Sequence, residues 1–229
     1  MAETLMAAVL VVWGRPGIAA PSSSDHETAA AREVLDQYLE RGAGTSSDLR
    51  RPLAFKIDAS LPRMHKHGIM HGLKLVTGTG RVIFTELNFV GDDLIKTAVI
   101  GRFLSAETKP PGAGEDLAIA ARNYRFRYKG RSDYNGRPVL VFGLRPQRRR
   151  VGLFEGEIWL DSKTAQPLRE WGQFTKSPSV FVSNINFVRD YVIAGEESRP
   201  RRIILKLRAA FAGAAELTMW LGEPENTSN

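Results

Sequence analysis

The chain has no cysteine. That excludes a disulfide framework, a thiolate metal site, a cysteine nucleophile and a cysteine-linked lipid anchor. No apolar run reaches the roughly 18 residues that a membrane-spanning helix needs, so an integral helical membrane protein is excluded too. Catalytic signatures are also missing. Ser177-Pro178-Ser179 has no glycine elbow and no neighbouring base. Gly78-Thr79-Gly80-Arg81 and Gly112-Ala113-Gly114 lack the strand–loop–helix context and the lysine of a phosphate cradle, and read as turns. No catalytic residue is assigned, no cofactor is implied and the chain reads as a non-enzyme.

What is present is an ordinary globular composition. The 229 residues are 43% hydrophobic and 25% charged, enough for one sizeable core. Residues 1–20 have parts of a secretory signal: the apolar run Leu5 to Trp13, then Ile18-Ala19-Ala20 before Pro21. Glu3 precedes the run and Arg15 follows it, so the signal reads as truncated, with a disordered start or a misplaced initiation site as the alternative. Residues 21–24 read as a linker, 25–221 as a single domain and 222–229 as a disordered tail.

The net charge of +7 is concentrated. Arg122 to Arg150 holds ten Arg or Lys and one acid, Asp133, a net of +9; against the chain's +7 the remainder carries −2. Tyr124, Phe126 and Tyr128 interleave with Arg125, Arg127 and Lys129, a pattern that nucleic-acid binders also use. On a strand, however, alternation puts rings and cations on opposite faces. The segment therefore reads as an amphipathic strand whose basic face suits an anionic membrane surface or an acidic partner, and no nucleic acid is expected.

Helical spacing of Ala30, Val34, Leu35, Tyr38 and Leu39 predicts a first helix, capped by Ser24 or Asp25 and stopped by Gly42 and Gly44. Leu53, Phe55 and Ile57 alternate with polar residues, and extended stretches follow at Met64–Thr77 and Arg81–Phe89. Asp92–Ala106 has a helical period. Lys109 to Gly114 is a breaker loop, and a short helix is predicted over Glu115–Arg122. From there the chain reads as β: Tyr124–Lys129, Pro138–Arg145, Leu153–Asp161, Leu168–Thr175, Val180–Val192, Arg201–Phe211 and Ala215–Trp220. Asn135-Gly136 signals a hairpin. The connections leave no room for crossover helices, so the sheet is antiparallel with sequential neighbours paired. Ile203, Leu205, Leu207, Ala209 and Phe211, like Phe154, Ile158 and Leu160, mark one apolar face. A sheet of some ten strands must curl around such a face or cover it.

Asn135-Gly136-Arg137-Pro138, Leu144-Arg145-Pro146, Gly156-Glu157-Ile158-Trp159-Leu160-Asp161 and Pro167-Leu168-Arg169 resemble the LolA/LolB-like superfamily. Lys176-Ser177-Pro178-Ser179 and Asp190-Tyr191 resemble an uncharacterised bacterial branch of it, the outer-membrane lipoprotein-sorting proteins. The resemblance spans roughly Ala29 to Trp220. It implies a mainly β (α+β) chain: a curled antiparallel sheet forming a half-open β-barrel, with an N-terminal helix and a helical lid over an apolar cavity. It implies a periplasmic carrier of lipoprotein or lipid acyl chains, loaded by an inner-membrane complex. Lacking cysteine, the chain departs from the lipid-anchored receptor type of that family and reads as an unanchored monomer. An envelope lipid- or stress-sensing interaction module of the same fold is the alternative.

On that reading the cavity-facing candidates are Phe126, Leu140, Phe142, Leu144, Ile158, Leu160, Phe174 and Phe187. Each could equally be an ordinary core residue beneath the N-terminal helix. Trp159, Trp171 and Trp220 fall on the outer face. His65, His67 and His71 would share a strand face near Met64 and Met70, but Gly68 and Gly72 would interrupt that strand and no acid completes a shell; no metal site is assigned. Glu155, Glu157 and Asp161 share a face and would be relieved by Arg148–Arg150 or Arg169.

Overall fold

The computed structural model describes residues 23–41 (side chains from residue 27), 52–77, 81–108, 117–177, 182–195, 197–210 and 212–222. The proposed signal, the stop of the first helix at Gly42 and Gly44, the Lys109–Gly114 loop and the tail beyond Gly222 lie outside these residues, as do Phe211, Pro178 and Ser179. Ser24 and Asp25, the expected caps, fall within the helix Ser23–Arg41.

Helix α1 (Ser23–Arg41) leads into strands β1 (Leu53–Leu61), β2 (Lys66–Val76) and β3 (Val82–Gly91). A helical segment follows at once: a π-turn over Ile95–Ile100 runs into α2 (Gly101–Thr108). Asp92 opens this segment, its carboxylate accepting from the Leu94 amide at 2.8 Å. The remaining strands are β4 (Tyr124–Tyr134), β5 (Arg137–Pro146), β6 (Phe154–Asp161), β7 (Pro167–Phe174), β8 (Val182–Ala194), β9 (Glu197–Ala209) and β10 (Gly213–Leu221).

All ten strands form one antiparallel sheet in the order β3-β2-β1-β10-β9-β8-β7-β6-β5-β4. Every neighbouring pair in the sheet is sequential except β1–β10, where the first and last strands meet, and the sequential strands β3 and β4 do not pair. The sheet does not close; β3 and β4 are its edges. Asn135 and Gly136 both take positive φ, 53° and 75°, the geometry of a two-residue hairpin matched to strand twist.

Two expectations are corrected. The described part of Glu115–Arg122, Leu117 onward, is not helical. It forms bends and a turn in which the amides of Asn123 and Tyr124 both donate to Ala120. Nor do Gly68 and Gly72 interrupt β2, although its pairing with β3 shifts register at Gly72, between His71 and Leu73. Phe89 of β3 lies where a Gly68 side chain would be, 2.7 Å from the ideal Cβ position. The glycine makes room for the ring inside an unbroken strand.

One face of the sheet is covered by both helices and holds the two main apolar clusters. The opposite, convex face has a small cluster of its own, Val139, Val141 and Leu168 beneath Tyr134, Trp159 and Ile193.

Candidate functional site

All eight predicted cavity residues gather in one cluster. Leu140, Phe142 and Leu144 of β5, Ile158 and Leu160 of β6 and Phe187 of β8 are buried; Phe126 of β4 and Phe174 of β7 are half-buried at its margin. The cover is α1, whose buried side chains are Ala31, Val34 and Tyr38, one helical stripe. Polar ties fix both ends of this helix. At its start Tyr128 donates to Glu27 at 2.5 Å and Arg131 lies 3.5 Å from the same carboxylate. At its end Arg41 donates to the Thr164 carbonyl. Arg131 reaches α1 because a bulge at Tyr128–Gly130 shifts the register and reverses the strand's faces beyond it.

The second cluster lies beneath the π-turn and α2. Ile95, Ile100 and Leu104 pack there on Phe55, Ile57, Ala59 and Leu61 of β1, Met70 of β2, Ile203 of β9 and Ala215, Leu217 and Met219 of β10. The two clusters share one residue, the half-buried Leu205 of β9. The apolar face thus has a seam between two separately roofed halves.

The same seam holds a polar group that the sequence reading missed. Glu170 and Arg189 face each other in register across β7 and β8, with Arg189 Nη1 3.1 Å from Glu170 Oε2. The same nitrogen donates to the Tyr191 hydroxyl at 3.4 Å. Tyr38 of α1 completes the group. Burial first, then the Glu170 charge, pushes both the Tyr38 and Tyr191 hydroxyls well above their ordinary pKa, so both remain protonated. A usable signal existed: the alternation that turns Phe174 and Phe187 inward also turns Glu170, four residues before the first, and Arg189, two after the second, to the same face.

On the convex side, Arg125 of β4 stands directly opposite Arg145 of β5, and Arg127 is exposed beside them. Tyr124 is buried and Phe126 and Tyr128 pack under α1, so rings and cations occupy opposite faces. The acidic strand is relieved by partners other than those expected. Against burial, which raises its pKa, Lys129, Trp159 and Trp171 hold Glu157 below the ordinary value. Asp161 is likewise held down, against burial, by the amides of Thr164 and Lys163 and by Arg137. Glu155 is 4.0 Å from Arg145. Trp171 and Trp220 are exposed and Trp159 half-buried, all on the convex side.

The histidines are dispersed. His65 takes a left-handed turn before β2, His67 bonds Asp58 at 2.9 Å and His71 is exposed. Among the described residues no three potential ligands converge on a metal position. A hollow of about 410 Å³, bordered by Arg63, Ser183, Arg208 and Gly213, lies apart from the eight predicted residues.

No family model and no curated protein matches the sequence. Solved structures do resemble it. A putative outer membrane lipoprotein-sorting protein domain from Vibrio parahaemolyticus is 12% identical, with TM-score 0.42, covering 87% of this chain and 94% of its own. A LolA superfamily protein from Nitrosomonas europaea is 14% identical, with TM-score 0.36 and coverages of 86% and 95%. The MucA/MucB complex of Pseudomonas aeruginosa gives 12% identity, TM-score 0.27 and coverages of 86% and 95%. At these identities and scores none of the likenesses decides what this chain binds. No helix among the described residues is long and apolar enough to cross a membrane.

Proposed function

We propose that the chain is a non-enzymatic periplasmic carrier for a hydrophobic ligand, with lipoprotein or lipid acyl chains as its cargo. One observation carries the reading. The concave face is apolar on both sides of β9, yet it is roofed by two helical segments whose clusters, among the described residues, share only Leu205. An acyl chain lying along that seam would leave water at about 0.8 kcal/mol per methylene. The eight predicted residues then form the wall on the α1 side, reached when α1 lifts. A helix contributing three buried side chains and a few polar ties is suited to such movement.

The basic convex face supports a docking role. Like charges directly opposed on neighbouring strands repel, and Arg125 against Arg145 is such a pair. An anionic bilayer surface would relieve that repulsion during loading or delivery, alongside an inner-membrane complex that supplies the cargo.

The test is native mass spectrometry of the protein purified from its own envelope, paired with a Leu205→Trp variant that fills the seam. The wild type should co-purify with acyl lipid, and the variant should fold and be empty. A wild type that is empty but bound to a protein would favour the sensing module. A folded variant that keeps its lipid would remove the seam as the site.

A further inference from the structure

A charged pair on the concave face is costly unless something uses it. Glu170 is nearly enclosed, its side chain 5% exposed, whereas that of Arg189 keeps 37%. Removing two charges from water is offset only when geometry and further hydrogen bonds are good. Here the described bonds of Arg189 leave from a single nitrogen, Nη1. The guanidinium lies over the Phe187 ring, 5.9 Å from its centroid, so it borders the apolar wall. Nε and Nη2 hold the remaining N–H donors of the fork, and none of the described residues accepts from them.

The charges around this point balance. Arg189 feels Glu170 and also Glu107 of α2, and Glu107 is itself paired with Lys74 at 2.9 Å. A ligand carboxylate or phosphate would meet two acids already in place. A neutral acceptor would take the spare donors without displacing either. The Tyr38 hydroxyl, kept protonated by burial, adds a donor of the same kind, whereas the Tyr191 hydroxyl accepts from Arg189 and is already bonded to Glu170.

We propose that Arg189, held by Glu170 and Tyr191, anchors the uncharged carbonyl of an ester- or amide-linked acyl chain, whose hydrocarbon then runs over Phe187 and Leu205. The proposal rests on the carrier reading above and assigns the head-group chemistry that the apolar wall alone leaves open. It makes the seam directional: the carbonyl end lies at β7–β8 and the chain extends towards one of the two roofed halves.

The test compares three probes on delipidated protein: N-phenyl-naphthylamine, which has no carbonyl; glycerol monolaurate, a neutral ester; and laurate, a carboxylate. Arg189→Met is combined with Glu170→Gln so that no unpaired buried charge remains. The ester should bind the wild type more tightly than laurate at neutral pH. The double variant should lose about ten- to hundredfold of ester affinity, the usual worth of a hydrogen bond to a charged donor, and keep its naphthylamine affinity. Unchanged ester binding in the double variant overturns the proposal. So does tighter binding of laurate than of the ester, or an equal loss of ester and naphthylamine. If the wild type binds no probe, the carrier reading itself fails.

Discussion

Beneath α1 the sheet supplies most of its own core. Tyr124, Phe154, Phe187 and Phe174 follow one another across β4, β6, β8 and β7 with ring centroids 5.6, 4.7 and 5.2 Å apart, and the helix adds buried Ala31, Val34 and Tyr38 with Leu35 and Leu39 half-buried beside them. Beneath α2 the sheet side is mostly aliphatic, and the helical segment drives Ile95, Ile100 and Leu104 into it. There the helix is part of the core. It is also continuous with β3 and tied to β2 at both ends, by Lys66–Asp92 at 2.8 Å and Lys74–Glu107 at 2.9 Å. A roof that buries an alanine, a valine and a tyrosine is lifted at less cost than one that buries two isoleucines and a leucine and runs straight on from a strand. On the carrier reading, α1 is the cover that lifts and α2 the one that stays.

Core truncations give the largest effects. Phe142→Ala on the sheet side of the α1 half should cost about 3–5 kcal/mol, and Leu104→Ala in α2 about 2–5. Val34→Ala in α1 should cost only about 1–2, the worth of two buried methylenes. Urea unfolding followed by circular dichroism measures all three. If Val34→Ala proves as damaging as Leu104→Ala, the two roofs are equivalent and the asymmetry is lost.

Part of that asymmetry was readable from residue order. The heptad-like stripe Val34, Tyr38 and the alternation of Leu140, Phe142 and Leu144 needed only helical and strand periods, and short turns dictated the antiparallel meander. The β1–β10 pairing was not readable, because it joins segments more than 150 residues apart and no local pattern encodes it. The His65–His71 cluster misled for a similar reason. Spacing placed three rings on one face, but Pro62 starts a short 3₁₀ turn that removes His65 from the strand. Glu170 and Arg189 escaped notice although their parity was plain, since charged residues on an apolar face are not expected without a partner on another strand.

The ties of α1 provide an intermediate effect. Arg41→Ala removes the bond to the Thr164 carbonyl. An exposed contact of this kind is worth under about 1 kcal/mol to global stability. It should nevertheless raise hydrogen exchange in the last turns of α1 about two- to fivefold while leaving α2 unchanged. Equal acceleration in both helices would mean that they open as one unit, contrary to the comparison.

Acid should act on both roofs through different carboxylates, with the smallest effect of the three. Asp92 opens the α2 segment and is held below the ordinary carboxyl value first by Lys66 and then by the Leu94 amide. Asp161 is held down by the amides of the turn whose Thr164 carbonyl receives Arg41. A folded-state pKa lower than the unfolded one means stability that is present above the unfolded value and lost as pH falls through the folded value. Each residue therefore contributes at neutral pH and ceases to contribute as the solution is taken through and below the ordinary aspartate range. Asp161→Asn should flatten the acid limb of the stability curve and free the end of α1 already at neutral pH. Asp92→Asn should flatten the same limb but leave exchange in α1 untouched. If Asp161→Asn changes α2 as much as α1, the Asp161 turn does not serve the movable cover alone.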